Sequence, residues 1–185
     1  MLDTYSVNPS PTDGVMAHML LTQRESRARG PSFILSEGLS SLPALPRIEV
    51  RAQRAPVTLS VEWTGPEPSW LRPALEVLVE LRALPRNWNS YRALPIADRA
   101  IQVAVALLHD VMPERAPHAQ IVPTAPGGVQ LEWHTGGIDM EIEVEPNGEA
   151  SVICEDLRTG EEWEGRFPAC RNQTIAVLAG LVAPQ

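Results

Sequence analysis

Residues 127–156 read "GGVQLEWHTGGIDMEIEVEPNGEASVICED". Apolar and polar side chains alternate along this stretch, the period of a strand with one face buried and the other in water. Gly136-Gly137 interrupts the alternation. Two glycines between alternating runs make a two-residue hairpin turn, because glycine adopts the positive φ of such turns without steric cost. That turn sets a register in which Thr135 faces Ile138, His134 faces Asp139, Trp133 faces Met140, Glu132 faces Glu141, Leu131 faces Ile142 and Gln130 faces Glu143. All the apolar residues then share one face, and a slip of one residue would mix the two sets.

Further along, "EPNGE" at 145–149 reads as a three-residue loop with Pro146 at its first corner and Gly148 left-handed. It delivers Ala150, Val152 and Cys154 to the apolar face. "RTGE" (158–161) is a third turn and leads to a strand carrying Trp163 and Phe167. The meander is expected over about 120–167, followed by a short C-terminal helix at about 172–182.

Working upstream, "EPSWLRPALEVLVELRAL" predicts a helix over about 69–84, with Ser69 as N-cap and Pro73 in the first turn. Leu71, Leu75, Leu78 and Leu81 form its inward stripe. A second helix is expected at about 95–112, with Pro95 at the first helical position and Pro113 closing the end. Ile101, Ala104, Leu108 and Val111 line one side of it, and Val103 and Leu107 widen that stripe, so most of its surface is expected to be covered. Residues 47–51 and "VTLSVEW" (57–63) alternate as strands, the latter with Val57, Leu59, Val61 and Trp63 on one face.

Residues 1–46 carry Pro9, Pro11, Pro31, Pro43 and Pro46, which break any long element. The segment reads as an extended, weakly structured N-terminal arm that lies on its own domain or on another chain. A short helix is expected within "GVMAHMLLTQRES" (14–26). The fold class is α+β: helices packed on the apolar face of an antiparallel β-meander, with the Pro-rich arm preceding a domain at 47–185.

Charge narrows the functional classes. All fifteen basic residues are arginine, and the chain carries a net −8. Residues 128–165 hold eleven acids and one arginine, a balance of −10, which leaves +2 elsewhere. Such a patch disfavours direct contact with a nucleic-acid backbone or an anionic membrane and suits a basic protein surface. No apolar run approaches the length of a membrane-spanning helix. The opening "MLDTYSVNPSPTDG" lacks the basic and apolar regions of a signal peptide. Two cysteines, Cys154 and Cys170, make no disulfide framework, which points to a reducing, cytoplasmic setting. Cys154 is expected to point inward and Cys170 to be exposed.

"NWNSYRALPI" followed by "VPTAPGGVQLEWHTGGIDMEIEVEPNG" resembles a family of small bacterial proteins in which a W-[DN]-S-Y…P element precedes a GGVQLEW hairpin. The resemblance covers roughly residues 85–156. It implies a bacterial or mobile-element origin and a compact domain, and it brings no reaction, cofactor or catalytic residue. Where that family carries glycine after the tyrosine, this chain has Arg92.

Two constellations are candidate sites. Glu132, His134, Asp139 and Glu141 are expected together on the wet face, with Glu143 and Glu145 extending the row. One imidazole and three carboxylates suffice for a divalent ion, or the same residues form a cross-strand His–Asp pair on a partner-binding face. "NWNSY" supplies Asn87, Trp88, Asn89 and Tyr91, either as a second interaction loop or as a helix connection in which Trp88 and Tyr91 plug the core edge. No G-x-S-x-G elbow, phosphate-binding loop, dinucleotide fingerprint or C-x-x-C zinc pattern occurs. The sequence therefore reads as a non-enzymatic binding protein without cofactor or bound metal, of the antitoxin, immunity or accessory-subunit kind. A structural subunit docking through the arm is the alternative, and a metal-dependent hydrolase built on the His134 cluster is a weaker one.

Overall fold

The computed structural model describes residues 4–5, 18–23, 47–53, 57–63 and 66–182. In chain order the elements are β1 (Thr4–Tyr5), β2 (His18–Gln23), β3 (Arg47–Arg51), β4 (Val57–Glu62), α1 (Leu71–Arg82), α2 (Asp98–Val111), β5 (Gln120–Pro123), β6 (Val129–Thr135), β7 (Ile138–Val144), β8 (Ala150–Asp156), β9 (Glu161–Arg166) and α3 (Arg171–Gly180). The fold is α+β, with two antiparallel sheets in place of one: β1-β2-β4-β3 and the meander β5-β6-β7-β8-β9.

The meander adopts the register read from the Gly-Gly turn. Thr135 pairs with Ile138, Trp133 with Met140 and Leu131 with Ile142. Gly136 and Gly137 take φ of 61° and 77°, as a two-residue turn matched to strand twist requires. Val129, Leu131, Trp133, Met140, Ile142, Val144, Val152 and Cys154 are buried on the inner face. Trp133 is 1% exposed, and its indole N–H donates to the Pro117 carbonyl at 3.1 Å, so the polar end of the ring is satisfied inside the core.

The helices lie on that inner face. Leu71, Leu75, Leu78 and Leu81 of α1 are buried, and α1 packs on β3, β4 and the edge strand β5, joining the two sheets into one core. α2 covers β6 and β7, with Ile101, Ala104, Leu107, Leu108 and Val111 buried. Two arginine–aspartate forks brace the helices. Arg82 at the end of α1 meets Asp98 at the start of α2, and Arg171 of α3 meets Asp110 of α2 at 2.6 and 2.8 Å.

Several local expectations are corrected. Ser69 does not cap α1: Trp70 occupies the N-cap position with no side-chain cap bond, and Leu71 N–H instead reaches the Pro68 carbonyl at 3.1 Å. α2 begins at Asp98 and not at Pro95, because the Leu94 and Ala97 amides are taken by the Ala125 and Gly127 carbonyls, which holds residues 94–97 extended. Cys170 is buried, not exposed; it packs under Gly165, where a Cβ would stand 3.1 Å from the Cys170 Cβ. Residues 18–23 form no helix. They are strand β2, paired with β4 from His18↔Glu62 to Gln23↔Val57. The Met16, Met19, Leu20 spacing was weaker than the backbone hydrogen bonds offered by the open edge of β4. The expectation of an extended run through 31–46 lies outside the described residues.

Candidate functional site

The outer face of the meander carries the predicted row. β6 contributes Glu132 and His134, and β7 contributes Asp139, Glu141 and Glu143, all from positions that alternate with the buried set. Glu145 follows at the mouth of the next turn, where its amide bonds to the Glu149 carbonyl at 2.8 Å. The register extends the face beyond the sequence reading. Across β8 and β9, Glu155 pairs with Glu162 and Ile153 with Glu164, so three further carboxylates join it. In the middle, between Glu141 and Glu164, stands Ile153, which is 51% exposed. A β-branched apolar side chain set in water among Glu141, Glu155 and Glu164, with Ser151 and Arg166 toward one side, was missed. With Val152 and Cys154 inward, the same alternation turns Ile153 outward, and the strand order sets it beside Glu141.

One end of the row is internally compensated. His134 Nδ1 lies 2.7 Å from Asp139 Oδ1, and its Nε2 lies 3.4 Å from Glu132 Oε2. The Asp139 hydrogen bond raises the imidazole pKa above its ordinary value; desolvation opposes this, and Glu132 adds to the rise. Gln130 donates to Glu141 at 2.6 Å, relieving the Glu132–Glu141 opposition. At the other end Glu143, Glu145, Glu155, Glu162 and Glu164 make no ion pair among the described residues.

Ligand atoms of Glu132, His134 and Glu141 lie within 4.8 Å of one another, a spacing that can hold one divalent ion. Asp139 is not of this group, although its carboxylate lies 2.7 Å from His134 Nδ1. The three residues sit on an open strand face, whereas catalysis draws on a concave, water-poor site.

The "NWNSY" loop departs from the core-plug expectation. Tyr91 is 86% exposed and Trp88 only half-buried. The loop is nonetheless tightly held. Asn87 Oδ1 accepts the Arg92 amide at 2.7 Å, Asn89 Oδ1 accepts the Tyr91 amide at 2.8 Å, and the Trp88 indole donates to the Leu94 carbonyl at 3.1 Å. Asn87, Ser90 and Arg92 all take the left-handed conformation, with φ of 66°, 65° and 69°. Left-handed non-glycine residues persist only where the surroundings over-determine them, and here the two asparagine side chains do so. Arg92 thus occupies the backbone conformation that glycine adopts freely.

A cleft of about 550 Å³ opens between α3 and the end of the meander, with Ile138, Trp163, Val177 and Leu181 on its walls and Cys154 among its lining. Burial is the first cause that pushes the Cys154 thiol up, and Asp156 and Asp139 add to it, so the thiol is a poor nucleophile. At the rim Arg158 grips Asp156 at 2.8 and 3.1 Å and pulls its carboxyl down to about 2, which leaves no proton there to exchange near neutrality.

Comparison of the chain with family models, with curated proteins and with solved structures returns no match. Among the described residues no helix is long and apolar enough to cross a membrane.

Proposed function

We propose that the chain is a non-enzymatic protein-binding protein of bacterial or phage origin, of the antitoxin, immunity or accessory-subunit kind, whose outer sheet face receives a basic protein surface. The carrying observation is Ile153, half exposed and bordered by Glu141, Glu155 and Glu164 on a face where Arg166 is the one arginine among the strand residues. An apolar centre with a charged rim is the anatomy of an interface patch, and isolated solubility would not require the apolar centre. Like charges side by side contribute nothing to the fold, and a cationic partner would relieve their repulsion and be steered toward them.

The test replaces Glu141 and Glu143 with Gln. The isolated protein is expected to be as stable as before or more so. Capture of the native partner from host extract is expected to be slower, with a flatter dependence on salt. Unchanged capture at low and at high salt would reduce the row to a solvated surface.

A further inference from the structure

The loop between α1 and α2 presents the opposite arrangement to the sheet face. Tyr91 stands 86% exposed, with Leu94 at 41% close along the chain. Arg86 and Arg92 flank them; both are exposed, and neither meets a carboxylate among the described residues. No acid occurs from Leu81 to Ala97. The loop is also pre-formed: the Asn87, Asn89 and Trp88 hydrogen bonds hold it, and the Leu94 amide anchors it to the Ala125 carbonyl at 2.9 Å. A rigid tyrosine loses little entropy on contact, and tyrosine and arginine are the side chains most often found at the energetic centre of interfaces.

We propose that this loop docks onto the acidic sheet face of a second copy of the same chain. An aromatic centre with a guanidinium rim meets an apolar centre with a carboxylate rim: Tyr91 packs on Ile153 of the other copy, and Arg86 and Arg92 reach Glu141, Glu143 and Glu164 around it. Arginine suits this role because its planar fork engages carboxylates in pairs. The loop and the sheet face are different surfaces of one chain, and a head-to-tail contact between them leaves each dimer with one free loop and one free face. The proposal rests on the reading of the sheet face as a site for a basic protein surface and names that partner.

The test is sedimentation of the full chain over about 1–500 µM, at about 50 and about 500 mM salt. The wild type is expected to self-associate with concentration and to lose at least about tenfold in affinity at the higher salt. A loop variant (Arg86→Glu with Arg92→Glu and Tyr91→Ala) and a face variant (Glu141→Gln with Glu143→Gln and Ile153→Ser) are each expected to stay monomeric. Mixed together, they keep one good loop and one good face between them and should form a 1:1 dimer that grows no further. Circular dichroism melts of each variant establish that it is folded. A wild type that stays monomeric throughout overturns the proposal while leaving the sheet face open to a different basic partner. Association that survives in the loop variant overturns it as well. If the face variant still associates while the loop variant does not, the reading of the sheet face fails too.

Discussion

The Arg82 guanidinium lies against the Asp98 carboxylate with Nε–Oδ1 at 2.7 Å and a second contact at 3.0 Å. The arginine side chain is 6% exposed, and the aspartate stands at the start of α2, where the helix dipole favours an anion. This fork closes the base of the loop that carries Tyr91. Asp98→Ala leaves a covered guanidinium unpaired and is expected to cost about 2 kcal/mol by urea unfolding. Adding Arg82→Met should recover part of that loss, and no recovery would mean that Asp98 acts on the helix alone.

Trp133 is the central anchor of the meander. Trp133→Ala is expected to cost ~3–5 kcal/mol, as truncations of buried aromatics do. A loss below about 1 kcal/mol would mean that the two faces of the sheet are exchanged, and the carboxylate face would fall with it.

At Arg92 the backbone is left-handed, so the side chain is expected to be a burden. Arg92→Gly should raise stability by up to about 1 kcal/mol, and Arg92→Val should lower it, since a β-branched residue tolerates that conformation least. Equal melting temperatures for the two variants would show that the loop has relaxed to a different turn.

Two histidines give pH dependences of opposite sign. His109 packs edge-on to Trp63 with ring centroids 5.0 Å apart, and burial lowers its pKa from 6.5 while Asp110 opposes the shift. The unfolded chain therefore binds the proton more tightly, and stability is lost as pH falls below 6.5 toward the folded value. His134 is raised from 6.5, so its contribution is complete below that pH and is lost as pH rises through the folded value. In urea midpoints measured across that window, His109→Phe should flatten the acid limb and His134→Gln the alkaline one. Two variants with the parent's profile would assign the pH dependence to other groups.

A chain beginning at Arg47 would lack β2, the strand that pairs with every residue of β4. The open edge of β4 is expected to lower the melting temperature or to promote aggregation. A truncated chain with the parent's melting temperature and a monomeric state would show that β2 adds nothing to the domain.

What the sequence made legible was local. The Gly-Gly turn and the alternation around it are set by neighbours a few residues apart, so the register, the buried set and the carboxylate row could be read directly. The strand at 18–23 could not, because its partner β4 lies far along the chain and only tertiary pairing selects strand over helix there. The start of α2 was misplaced for the same reason: the carbonyls of Ala125 and Gly127, remote in sequence, hold Leu94 and Ala97 out of the helix. At the site, Glu155, Glu162, Glu164 and Ile153 followed from the same period: with Ala150, Val152 and Cys154 inward, their alternating neighbours face water, and that wet set was legible but not followed across the sheet to the row. The left-handed Ser90 and Arg92 had no local signal, since neither residue type favours that conformation.

The two sheets also differ in how they close, and this bears on the order in which the protein assembles. The meander joins each strand to the next through a tight turn, so its contacts form between near neighbours and lose little chain entropy. The other sheet joins His18 to Glu62, a closure that gains nothing until the intervening chain has been brought round. The meander should therefore acquire protected amides early in refolding, with α2 condensing on it, while β2 should be the last strand to gain protection and the first to lose it.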